Sequence, residues 1–263
     1  MLSFYEVSKP GVTNDHLIWH TGAKEKTAKQ YKESRTGFLS QFPFGVFAFA
    51  RLDDRLEDSP LWTSKSSANK ANDRDAMHTL PSQPHVEFWN TECYSPKYMF
   101  KDFPPDNKYA FAMATTFFSA RSRGEVTLNS TDPMMNPKVQ HNYLADPLDM
   151  LVFSEGCRLA NEIALQGAGT KDIIVGSWPA GHGHDKFTQR EEWAEAIRQR
   201  ADTCKSNLPS RVSRVRANMM QATILLGLVR WGSQTTKWRS LMRSFVCEAW
   251  VICESRMRVL CPP

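Results

Sequence analysis

The chain has 263 residues, of which 41% are hydrophobic and 23% charged, with eight Trp and 15 Phe; this is the composition of a folded globular protein and excludes a disordered or low-complexity chain. Its net charge of +5 is unevenly placed: residues 205–263 hold ten Lys+Arg against two Glu and no Asp, a net +8, while the first 204 residues hold 23 Lys+Arg against 26 Asp+Glu, a net −3. No apolar run approaches the roughly 20 residues of a membrane span. The first residues, MLSFYEVSKPG, show no basic segment followed by an apolar one, so neither a transmembrane segment nor a secretory signal is expected.

Residues 2–7 read as a strand closed by Pro10-Gly11, and a strand pattern at the first residue predicts a chain that starts inside a domain. Residues 22–33, rich in Lys, Glu and Ala, read as a solvated helix whose mixed signs argue against a nucleic-acid stripe. Residues 38–51 are apolar and aromatic and are expected to be buried extended chain. Residues 53–58 are polar, and 63–76, rich in Ser, Asn and Lys, are expected to form a flexible surface insertion. A short strand is expected at 85–90. A longer one at 109–118 alternates Tyr109, Phe111 and Met113 with Ala110, Ala112 and Ala114, the period of a strand with two unlike faces. Ser122-Arg123-Gly124 signals a turn, 125–128 and 138–144 read as strands, and Asp132-Pro133 turns between them. Asp146 as N-cap and Pro147 at the first helical position start a helix over Pro147–Gln166, ended by Gly167. Leu148, Leu151, Val152, Cys157 and Leu159 lie along one side of it. A last helix over 188–200 has Thr188 as N-cap and Glu191 closing a capping box. Strands followed by surface helices predict an α+β fold, an antiparallel β-sheet with helices packed on one face. The six Cys are scattered without paired spacing and are expected to be free thiols.

Between Ser122 and Ala160 the motifs fall in a particular order: Ser122-Arg123-Gly124-Glu125-Val126-Thr127-Leu128, then Asp132-Pro133, Pro137-Lys138-Val139, Asn142-Tyr143-Leu144 and Asp146-Pro147-Leu148-Asp149. This order resembles the substrate-domain core of the glucose–methanol–choline (GMC) oxidoreductases, and the likeness extends more loosely from about Val7 to Cys204. The resemblance implies an incomplete substrate-binding domain over residues 1–204 of an FAD-dependent flavoprotein. It implies a small-molecule alcohol as substrate, hydride passing from the CH–OH carbon to the flavin, and a histidine base taking the hydroxyl proton. It also offers Trp89, Phe111, Met113 and Phe118 as candidates to line the substrate pocket. The family's histidine lies in a motif resembling H-P-x-G-T-C-x-M-G, placed after the last helix. Here Arg200-Ala201-Asp202-Thr203-Cys204 continues instead as Lys205-Ser206-Asn207-Leu208-Pro209. No G-x-G-x-x-G occurs anywhere in the sequence. The chain is therefore expected to be a fragment without a catalytic residue of its own, inactive as translated and unable to retain FAD.

Residues 205–263 are expected to be a poorly ordered, aberrant tail: 205–221 translated from a retained intron, and 222–263 read in the wrong frame. If the third base of each codon is joined to the first two of the next, permitted codons for residues 222–232 spell N-H-P-A-G-T-C-K-M-G, the missing motif. The competing reading makes the folded part a non-catalytic scaffold and the basic tail a binding arm for nucleic acid. Two further features are given no role. His182 and His184, in a Pro/Gly loop, lack a third ligand at metal spacing and are expected to be solvated. Asn129-Ser130-Thr131 is a formal glycosylation sequon in a chain without a secretory signal.

Overall fold

The computed structural model describes residues 1–41, 44–91, 105–132 and 134–200. The strands are β1 (Leu2–Val7), β2 (Phe44–Ala50), β3 (Val86–Thr91), β4 (Tyr109–Phe117), β5 (Glu125–Thr127), β6 (Lys138–Gln140) and β7 (Ile174–Trp178). The helices are α1 (Asp15–Ile18), α2 (Ala23–Ser34), α3 (Asp53–Leu56), α4 (Pro60–Asn69), α5 (Pro147–Gln166) and α6 (Arg190–Arg200). Five strands make one antiparallel sheet in the order β2-β3-β4-β1-β7, and β5 and β6 form a separate hairpin. This is the α+β architecture that the strand and helix order predicts.

Strand β4 is the centre of the sheet, and its alternation sets the two layers. Residues paired directly across an antiparallel ladder share a face, so Phe111 lies beside Tyr5, Phe117 beside Val86, and Thr115 beside Phe88. Against this face packs α5: Leu148, Val152 and Ala160 join Val86 and Phe88 in one core cluster, and Ala164 joins Tyr5, Val7 and Phe111 in another. The small residues Ala110 and Ala112 face the other way, with Phe4, where Trp19 and Trp178 cover them.

Helix α5 forms where its capping residues predict. The Asp146 carboxylate accepts the Leu148 N–H at 2.9 Å, and Pro147 occupies the first helical position. Gly156, in mid-helix, has a packing reason. A Cβ there would lie 2.8 Å from Val86 Cγ1, so its absence lets the helix sit close on β3 and offsets glycine's cost of about 1 kcal/mol in a helix. Helix α6 lies on α5 and buries Trp193 and Ile197 beside Cys157. Its N-terminus is capped one residue later than the sequence predicts. Glu192, not Glu191, reaches back, accepting Gln189 N–H at 2.9 Å and Thr188 N–H at 2.8 Å.

Other expectations need correction. Half of the segment 63–76 is α4, anchored by the packed Trp62, and the segment ends at Asp75 and Ala76, both buried. One large side chain and the Asp75 hydrogen bonds hold it, rather than an apolar stripe. In the run 38–51, residues 46–49 are exposed rather than buried: Val46, Phe47 and Phe49 are 77%, 46% and 61% exposed, because β2 is an edge strand with no helix, among the described residues, over its outward side chains. The strand expected at 138–144 stops at Gln140, and β7 has no counterpart among the predicted strands. The tail from 205 onward, and the proposed boundary at 204, lie outside the described residues.

Candidate functional site

The motif residues of 122–149 form a polar clamp. Asp149 is fully buried, and its two carboxylate oxygens accept the backbone N–H groups of Arg121 (2.6 Å) and Ser122 (2.8 Å). In return Ser122 Oγ accepts the Asp146 N–H at 2.9 Å, and Arg121 Nε donates to Asp146 Oδ2 at 2.9 Å. Asn142 Nδ2 donates to the Arg123 carbonyl at 3.0 Å. Gly124 is required because a Cβ would meet the Gln140 carbonyl oxygen at 2.4 Å, inside any allowed contact. Ser122, Gly124, Asn142, Asp146 and Asp149 thus join the hairpin to the start of α5. Their chemistry is architectural.

The four pocket candidates do not line one surface. Phe111 and Met113 point to the α5 side of the sheet, Phe111 buried and Met113 packed against the same clusters. Trp89 and Phe118 lie on the opposite face. Trp89 pairs across the ladder with Phe47, and its indole N–H donates to Thr116 Oγ1 at 3.0 Å. Phe118 stacks on Phe49 with ring centroids 6.2 Å apart. On this face Trp19 and Trp178 cover the β1–β4 half, while the β2–β3 half keeps Phe47 and Phe49 exposed. The result is an open aromatic surface of Phe47, Phe49, Trp89 and Phe118, to which Thr116 adds a hydroxyl and Glu87 a carboxylate. Phe47 and Phe49 were invisible as candidates because the apolar run 38–51 reads as core.

Two buried histidines among the described residues, His85 and His184, each sit in a cluster of their own. Asp53, Asp75 and His85 bring ligand-type atoms within 4.8 Å of one another. The space between them belongs to Arg51, whose Nε is 2.7 Å from Asp53 and whose Nη2 is 2.6 Å from Asp75. His85 is committed on both sides, Nδ1 accepting the Leu52 N–H at 2.9 Å and Nε2 facing Asp75 at 2.7 Å. Hydrogen bonds from His85, Thr79 and Arg51 hold the Asp75 carboxyl well below the usual carboxylate range, against the opposing cost of its burial. A cation would have to displace a guanidinium, so the cluster is a structural ion-pair node.

His184 is the second. It is fully buried rather than solvated, edge-on to Tyr5 at 5.0 Å and 6.1 Å from Trp193. Burial first, and then the neighbouring Arg200 charge, push its pKa down to about 4, so it is neutral at pH 7. The loop signal that suggests solvent exposure, Pro179 to Gly183, instead folds the ring inward through a left-handed Gly183 at φ +60°.

Residues 120–208 match the family model described as GMC oxidoreductase. Similar curated proteins are a GMC oxidoreductase family protein, Mala s 12, of Malassezia sympodialis, and the oxygen-dependent choline dehydrogenase of Paraburkholderia phytofirmans. The first is 37% identical over 82 residues, covering 31% of this chain and 13% of that protein. The second is 49% identical over 47 residues, covering 18% and 8%. Among solved structures, Aspergillus oryzae formate oxidase, the subject of work on its FAD modification, aligns with a TM-score of 0.65 at 24% identity, over 76% of this chain and 34% of its own. Over residues 120–208 the chain carries the C-terminal domain of a GMC oxidoreductase, and its fold is the one seen in formate oxidase. It spans about a third of the formate oxidase chain. Among the described residues, no helix is long and apolar enough to cross a membrane.

Proposed function

We propose that this chain is a substrate-domain segment of an FAD-dependent oxidoreductase acting on the CH–OH group of small-molecule alcohols, inactive by itself. The observation that carries the reading is the open aromatic surface of Phe47, Phe49, Trp89 and Phe118, on a domain whose residues 120–208 match the family. Bound FAD would supply hydride acceptance. This surface would pack against a planar ring system, with Thr116 and Glu87 as its hydrogen-bonding groups. The fit ends there. The sequence contains no glycine-rich turn to cradle a pyrophosphate and no H-P-x-G-T-C motif to place a histidine beside the substrate hydroxyl, so no catalytic step is assigned to this chain.

Purified chain mixed with FAD and passed through a desalting column should emerge colourless, and should reduce no flavin when alcohols are added. A yellow fraction with stoichiometric FAD would overturn the proposal of inactivity. Colourless protein that binds nucleic acid with a steep salt dependence would favour the scaffold with a basic arm.

The same reading extends to the tail. We propose that residues 205–221 are intron-derived and 222–263 out of frame, so that the histidine motif is encoded but not translated. The sharp rise in basic charge after residue 204 supports this, as does the motif spelled by the shifted codons of 222–232. Sequencing the transcript tests it: the nucleotides spanning Thr223 and Ile224 must spell CAT or CAC in the shifted frame, and any other triplet ends the idea.

A further inference from the structure

We propose that β2 is a self-association surface, pairing antiparallel with β2 of a second copy of this chain to make one continuous sheet of two five-stranded halves. The strand lies at the edge of the sheet and, among the described residues, is bonded on one side only, to β3. Its seven residues, FGVFAFA, contain no charge and no proline. Of these, Val46, Phe47, Ala48 and Phe49 are exposed. The register against β3 shifts between Phe44 and Phe47, and from Phe47 to Ala50 the regular edge presents unpaired backbone groups with none of the lysines, prolines or inward charges that normally guard one.

Neutrality selects the occupant. Two identical strands pair about a two-fold axis, so any charge on β2 would be brought near its own copy; β2 has none, and every register is free of like-charge opposition. A charged peptide would find no counter-charge on this strand. With the axis at Phe47, the strand centre, Val46 lies opposite Ala48 of the second copy. An axis normal to the sheet keeps faces in common, so Phe47 and Phe49 of both copies share one side and their exposed rings become a joint apolar surface.

The test uses the full chain. Sedimentation equilibrium over a concentration series should show a reversible monomer–dimer equilibrium. Two double variants, V46K/A48K and V46E/A48E, alter only exposed side chains and set like charges opposite each other. Each alone should sediment as a monomer with an unchanged far-UV circular dichroism spectrum. An equimolar mixture should recover a dimer, because the ammonium groups of one variant then face the carboxylates of the other across the axis. A parent chain that stays monomeric throughout the series overturns the proposal. So does a dimer that persists in both variants, or a mixture of folded variants that fails to recover one.

Discussion

Replacing Asp149 with alanine tests whether the family motif is a clamp. The carboxylate is fully buried and accepts two backbone N–H groups, from Arg121 at 2.6 Å and Ser122 at 2.8 Å. D149A leaves both donors without an acceptor. A buried unsatisfied donor costs about 1–3 kcal/mol, and since the Arg121 N–H is only partly buried its share falls at the low end, giving a loss of about 3 kcal/mol in total. For a domain of this size that corresponds to a fall in Tm of about 6–12 °C. D149N keeps one acceptor oxygen and turns an amide donor toward the other N–H, so its loss should be smaller, about 1–2 kcal/mol. S122A frees only the Asp146 N–H and should cost about 1 kcal/mol. Because Ser122 and Asp149 grip the same turn, the double variant should lose less than the sum of the two singles. Urea unfolding followed by far-UV circular dichroism gives all four numbers. If D149A unfolds within about 0.5 kcal/mol of the parent, the level of an ordinary surface change, the clamp does not hold the hairpin to α5.

Three more outcomes are expected. His184 is held neutral with its pKa lowered from 6.5 to about 4, so the unfolded chain binds the extra proton: its contribution to stability is complete above pH 6.5 and is lost as pH falls toward 4. H184Q should flatten the stability profile in that window, and an unchanged slope would show that the ring is not the group responsible. Glu155 is buried against Arg55 at 2.5 Å and Arg158 at 2.8 Å, with Arg190 at 3.6 Å; E155Q removes this carboxylate while Glu162 still pairs with Arg55 and Arg158 and Asp58 with Arg190, so the variant should lose about 1.5–3 kcal/mol by urea titration. A loss below about 1 kcal/mol would put the pair in the class of surface bridges. Finally, F111A should cost about 3–5 kcal/mol because the ring is enclosed under α5, whereas F118A, on the open face, should cost about 1 kcal/mol; equal losses would contradict the assignment of faces.

The sequence by itself determined the elements whose signals are local. Asp146-Pro147 and Gly167 fix both ends of α5 through caps that need no distant partner, and the strict alternation of β4 specifies a strand with a bulky and a small side. The family was legible too, because the clamp residues lie close together in the chain and their spacing is their signature. Tertiary structure decided which face is covered. Alternation says that Phe111 and Ala112 point apart, but only the landing of α5 on the Phe111 side makes Phe111 and Met113 core and leaves Trp89 and Phe118 on the open surface. Position within the sheet exposed Phe47 and Phe49, since an apolar strand reads alike at the edge and at the centre. The anchoring of 63–76 depends on Asp75 meeting Arg51 and His85, 24 and 10 residues away, and the burial of His184 depends on Tyr5 and Trp193. A window of sequence records the preferences of its own residues; contacts between residues far apart in the chain exist only once the sheet has brought them together.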